Sequence, residues 1–226
     1  MGTQDDEKRI AGAAAADLVL DGMVLGLGTG STVEHFLAAL GEKVKTGMRV
    51  RGVPTSERTA KVCHGLGIEV LDFASVDALD LAIDGADEID GHFQMIKGGG
   101  GALLREKIVA AAAREVAIIV DASKVVPMLG AFPLPVEIVR FGYQTVERKI
   151  RDRGIDFTLR HAGDNPFVTD NGNFILDLKM GPTIADPAKL HAELDAIPGV
   201  VDTGLFIDLC HVLLVGQNGE VRTLRR

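Results

Sequence analysis

The sequence predicts an α/β protein: a doubly wound, mostly parallel sheet in a first domain, with a smaller α+β second domain. Three observations carry that expectation. Hydrophobic residues make up 46% of the chain and aromatic residues only 4%, so the core must be built from Ala, Val, Ile and Leu, as in a sheet covered by helices on both faces. Up to residue 121, strand-like and helix-like patterns alternate along the chain. Beyond residue 132 the order becomes β-α-β-β-α-β, that of a split βαβ unit.

Each element has its own signal. Residues 5–20 read as an amphipathic helix. Lys8-Arg9 ahead of "IAGAAAADLVL" has the outline of a signal peptide, but Asp17 and Asp21 interrupt the apolar run and acidic residues precede it. A strand at 23–27 runs into "GLGTGST" (26–32), and a helix follows at 32–40. A strand at 49–53 leads to Thr55-Ser56, an N-cap for a helix ending near Gly65 and Gly67. Short strands are expected at 69–71 and at "DLAID" (80–84). "KGGGG" (97–101) opens a helix over 102–114, and the continuous apolar run "VAIIVD" (116–121) is a buried strand.

In the second domain, strands are expected at 135–140, 156–161, 173–178 and 199–207, with helices at 143–153 and 187–196. "DNG" (170–172) marks a hairpin turn, and Asp186-Pro187 a helix start. "HVLLVG" (211–216) returns to the first sheet. The domains are therefore 1–132 with 207–226, and 133–206.

Composition excludes several functions. A net charge of −8 without a Lys/Arg-rich tract opposes nucleic-acid binding, so an anionic ligand needs a local site. No stretch reaches the roughly 20 apolar residues of a membrane span. Cys63 and Cys210 are far apart and form no C-x-x-C pair, which fits buried thiols in a reducing, cytoplasmic setting.

The chemistry concentrates at predicted strand ends, where ligands of doubly wound sheets sit. "GLGTGST" lacks the third glycine of a dinucleotide fingerprint, the strand after it ends in "VPTS" without an acidic residue, and no Lys completes a P-loop. What remains is a turn whose N–H groups and Ser31/Thr32 hydroxyls suit a monoester phosphate, or an ordinary strand-to-helix turn. "DGADEID" (84–90) holds four carboxylates, as in a solvated loop or a divalent-metal site, but no histidine pair has ligand spacing and Lys97 is nearby. Four consecutive glycines after Lys97 imply close backbone approach to something. Glu106, early in the next helix, reads in isolation as a surface residue.

Taken together, "GLGTGST", "VPTSERT", "DGADEID", "IKGGGGALLREKI", "DASK", "FPLPVE" and "PGVVDTGLF" occur in one chain and in order. This series closely resembles the A-type ribose-5-phosphate isomerase family, from near the N-terminus to "VLLVG" (212–215). The resemblance implies a Rossmann-like domain with a ferredoxin-like second domain. It also implies interconversion of ribose 5-phosphate and ribulose 5-phosphate through an enediol(ate), with no cofactor and no metal. Carried to matching positions, Glu106 is the base, Lys97 stabilises the oxyanion, and Asp84 and Asp87 bind sugar hydroxyls and assist ring opening. Substrate binding falls to Thr29, Gly30, Ser31, Thr32, Asp84, Gly85, Ala86, Asp87, Lys97, Gly98, Gly99, Gly100, Lys124 and Lys8. A homodimer or homotetramer is implied. Two rivals are a sugar-phosphate sensor without turnover and another enzyme of similar fold, such as an acyl-CoA transferase or an amino-sugar phosphate deaminase. The DGADE and KGGGGA pair argues against both.

Overall fold

A computed structural model of the chain describes residues 3–226 and divides it into two compact units. The first comprises residues 3–86, 105–125 and 209–226, the second 87–104 and 126–208. This division assigns 87–104 and 126–132 to the smaller unit, where the sequence expectation had placed them in the first. The physical reason is strand pairing: Glu88–Ile89 and Met95–Ile96 pair with each other, and Met95–Ile96 pairs with Leu205–Phe206.

The first unit is a seven-stranded sheet. Across it run Glu220–Arg225, Val212–Gln217, Ala113–Asp121, Leu79–Asp84, Val24–Leu27, Arg51–Pro54 and Glu69–Val70. All neighbours are parallel except the C-terminal hairpin, whose last strand lies antiparallel at the edge. The inner strands are buried along most of their length, and Leu25, Leu27, Ile83, Ala117 and Ile119 pack with Phe36, Leu37 and Leu40 of the helix Ser31–Lys45. The helix Gln4–Ala16 starts with a reciprocal cap. The Thr3 hydroxyl accepts from the Asp6 amide, and the Asp6 carboxylate accepts from the Thr3 amide. Its Ala-rich face is buried, as an amphipathic first helix requires.

The second unit holds a four-stranded antiparallel sheet in the order Val200–Thr203, Leu134–Ile138, Phe174–Lys179, Asp156–Leu159. With helices Tyr143–Arg151 and Pro187–Asp195 this is the expected β-α-β-β-α-β arrangement. Its own core contains Leu134, Val136, Ile138, Val146, Ile150, Leu176 and Leu194. The expected strand over 199–207 breaks at Gly204 into two pieces that pair with different sheets. Among the described residues, no helix is long and apolar enough to cross a membrane.

Candidate active site

In the first unit, the chemistry-bearing motifs stand at the C-terminal ends of adjacent parallel strands. Val24–Leu27 ends in the glycine loop, and Leu79–Asp84 ends in the acidic turn. The two touch directly. The Gly28 amide donates to the Ile83 carbonyl, and one oxygen of the buried Asp84 carboxylate accepts from the amides of Thr29 (3.1 Å) and Gly85 (2.8 Å). A Cβ on residue 28 would lie 2.2 Å from that oxygen, so only glycine permits the approach. Gly85 and Ala86 continue as an irregular, half-buried turn.

The Thr29 hydroxyl is turned inward. It lies 2.7 Å from Thr55 Oγ1, 2.9 Å from Ser56 Oγ and 3.1 Å from Thr59 Oγ1, and Thr59 in turn donates to the Gly28 carbonyl. Three partners exhaust what one hydroxyl can donate and accept. The "VPTSERT" segment is thus the clasp of the glycine loop, a role the sequence alone did not disclose. Gly30, with φ of +131°, is the N-cap of helix Ser31–Lys45 and supplies no side-chain cap. Neither Ser31 nor Thr32 is the cap. The helix therefore begins without a side chain occupying its first amides.

Glu106 lies in the first turn of helix Leu103–Ala111 and is only 4% exposed, which overturns the surface reading of it in isolation. Lys124 ends a short 3-10 turn, Ala122–Lys124, after the strand that finishes at Asp121. Helix Gln4–Ala16 is tied to the same turn. Glu7 accepts from the Ala122 amide, and Gln4 donates to Asp121 and Ser123. Lys8 follows Glu7 and Lys124 follows Ser123 in the two segments joined here.

In the second unit, Asp87 accepts the Gly99 amide at 2.7 Å, and a Cβ on residue 99 would lie 2.6 Å from its other oxygen. Lys97 is 3% exposed, the one buried lysine among the described residues, and its Nζ sits 5.3 Å from the centre of the Phe206 ring. Its backbone is locked to the broken strand: the Lys97 amide donates to Gly204 O at 2.9 Å, and a Cβ on residue 204 would lie 2.4 Å from Lys97 O. Burying an ammonium is costly, so such a lysine marks a site where its charge is needed.

The four carboxylates of "DGADEID" do not converge. Asp84 accepts from the Thr29 and Gly85 amides and Asp87 from that of Gly99, and Glu88, buried, accepts from Gly130 and Phe132 amides at 2.7 Å each. Asp90 caps its own turn through His92 and Gln94 amides. Glu88 and Asp90 are braces, invisible as such in a run of acidic letters.

A family model described as ribose 5-phosphate isomerase A (phosphoriboisomerase A) matches residues 51–220. The chain belongs to this family. A ribose-5-phosphate isomerase A of Parvibaculum lavamentivorans is 51% identical over 95% of both chains, and that of Maricaulis maris is 50% identical over 96% of this chain and 97% of its own. Among solved structures, ribose 5-phosphate isomerase A of Methanocaldococcus jannaschii covers 99% of this chain and 100% of its own at 38% identity and TM-score 0.93. A D-ribose-5-phosphate isomerase in complex with phospho-erythronic acid superposes over both full chains at 38% identity and TM-score 0.95. Family membership makes this chain an aldose–ketose isomerase interconverting ribose 5-phosphate and ribulose 5-phosphate.

Proposed function

We propose that Glu106 is the base of this isomerisation and Lys97 its principal oxyanion donor. In the open-chain aldose, Glu106 takes the C2 proton. The C–H electron pair forms the C1=C2 bond, and the carbonyl electrons become a charge on O1 beside the Lys97 ammonium. The O2 proton passes to O1 as the C2 carbonyl forms, and the proton held by Glu106 returns to C1, giving the ketose with every proton accounted for. A positioned base contributes about 10²–10⁴ in rate, and one oxyanion donor about 10²–10³.

Asp84 and Asp87 bind the sugar hydroxyls and assist ring opening. Residues 29–32 hold the 5-phosphate: Ser31, Thr32 and the helix-start amides as donors, Thr29 through the loop shape it fixes. Gly85, Ala86 and Gly98 to Gly100 line the sugar with backbone groups, and Lys124 and Lys8 add positive charge for the phosphate.

The burial of Lys97 and Glu106, 3% and 4% exposed at family-motif positions, carries this reading. The ligand of the solved relative supports it, since a phosphorylated sugar acid presents a carboxylate where an enediolate would form. The test is turnover of ribose 5-phosphate in D₂O. Deuterium should enter at the transferred position with parent enzyme, and entry should fall in parallel with ketose formation in Glu106→Gln. The enzyme is further read as a cytoplasmic, metal-free homodimer or homotetramer, its assembly measurable by scattering.

A further inference from the structure

Two side chains of the second unit, Arg160 and Phe167, contact the four-glycine loop, and neither belongs to any motif above. Arg160 follows the strand Asp156–Leu159. Its Nε donates to Asp177 Oδ2 at 2.9 Å and its Nη2 to Asp177 Oδ1, a two-point clasp that fixes the guanidinium plane. The remaining nitrogen, Nη1, donates to the carbonyls of Gly98 (2.9 Å) and Gly99 (3.2 Å). Phe167, whose amide donates to Arg160 O, sets its ring 6.0 Å from the guanidinium carbon and against Gly101, where a Cβ would lie 2.5 Å from the ring edge.

A trans peptide points its C=O and N–H in opposite directions within one plane. The Gly98–Gly99 peptide is therefore pinned at both ends, by Arg160 at its carbonyl and by Asp87 at its amide, 2.7 Å away. The Gly99–Gly100 peptide is pinned at its carbonyl, which turns the Gly100 amide away from the guanidinium. A cation on the carbonyl polarises the amide and strengthens its hydrogen bond to a carboxylate. Apart from the Gly101 amide, which also donates to Gly98 O at 2.9 Å, these peptides gain no restraint from side chains of their own, because glycine leaves φ and ψ open.

We infer that Arg160, clamped by Asp177, is a positioning residue for the isomerisation: it sets the Gly98–Gly100 peptides and, through the Gly99 amide, the orientation of the Asp87 carboxylate. The inference rests on the assignment of Asp87, Lys97 and the glycine loop to the substrate made above. A lysine at this position keeps the charge but offers no planar fork to hold Asp177 and two carbonyls together.

The test compares Arg160→Ala, Arg160→Lys, Asp87→Asn and the Arg160→Ala/Asp87→Asn double variant, with Lys97→Met as a control. Displacing reactive groups by about 1 Å can cost on the order of 10²-fold, so Arg160→Ala should lower kcat about 10- to 100-fold. KM should stay within about threefold, because the phosphate-holding loop is untouched. Arg160→Lys should recover only part of the loss. Because Arg160 acts through the peptide that Asp87 accepts, the double variant should lose at least about fivefold less than the product of the two single losses. Folded Arg160→Ala with parental kcat, or losses that multiply fully, would overturn the inference. If Arg160→Ala does not fold, a folded Arg160→Lys with parental kcat overturns it and a reduced kcat at unchanged KM supports it. Parental activity in Lys97→Met would instead sink the oxyanion assignment, and this inference with it. Loss in Lys97→Met beside parental kcat in Arg160→Ala removes Arg160 alone.

Discussion

The two units hold their functional residues by different means. In the first, Asp84, the glycine loop and Lys124 stand at strand ends of a parallel sheet. Their partners are backbone amides and short hydroxyls from the adjoining strand ends, such as Thr55 and Ser56 beside Thr29. In the second, Asp87, Lys97 and the four glycines lie on irregular backbone and two-residue strands. They are framed by contacts outside any parallel ladder: Asp87 accepting from Gly99, Gly204 receiving the Lys97 amide, and the Arg160 side chain seizing Gly98 and Gly99. A sheet gives strand-end loops their shape at little extra cost, because ladder hydrogen bonds already fix the chain there. A glycine run off the sheet has no such frame, and long side chains supply it.

That contrast can be tested from its strongest consequence down. Glu106→Gln should cost the most, about 10²–10⁴ in kcat with substrate binding retained, since it removes the proton acceptor and keeps the shape. Equal loss in ketose formation and in C2-hydrogen exchange is the result to look for. A variant within a few-fold of the parent would pass the role of base to Asp84 or Asp87. Lys97→Met should follow at about 10²–10³ in kcat, with little change in KM, as expected for a donor that matters most in the transition state.

Ser31→Ala with Thr32→Ala probes the opposite behaviour in the first unit. Each hydrogen bond to a charged phosphate contributes roughly 1.5–3 kcal/mol, so KM for ribose 5-phosphate should rise at least tenfold while kcat changes less. Parental KM would reduce the loop to a turn. Exhaustive chelation should leave activity unchanged, because the four carboxylates of the acidic turn face separate backbone amides. Activity abolished by EDTA and restored by Mg²⁺ or Mn²⁺ would defeat that reading.

The smallest effect concerns the thiols, both buried in the first unit. Burial pushes Cys63 from an ordinary value of 9.0 up to about 11, and Cys210 up to about 12. A folded-state pKa raised in this way gives stability that is complete below pH 9 and lost as pH climbs toward 11–12. The thermal midpoint should therefore slope downward above pH 9, less steeply in Cys63→Ala, and native enzyme should resist thiol reagents at pH 8.

Much of this was legible in the letters. The Ala/Val/Ile/Leu core, the alternation of elements and the β-α-β-β-α-β order are set by periodicity, which acts locally. Every motif that stands at a parallel strand end was readable for the same reason. The strand Glu220–Arg225 escaped because it lies at the sheet edge, mostly exposed, and carries no apolar run. The sequence determined by itself the succession of elements and the presence of Glu106, Lys97, Asp84 and Asp87. Tertiary structure alone decided that Glu106 and Lys97 are buried, that Thr29 faces inward, that Glu88 and Asp90 are braces, and that Arg160 reaches Gly98. Burial and long side-chain contacts depend on where distant segments return in space, and Arg160 meets Gly98 across 62 positions of chain. No local pattern records that return.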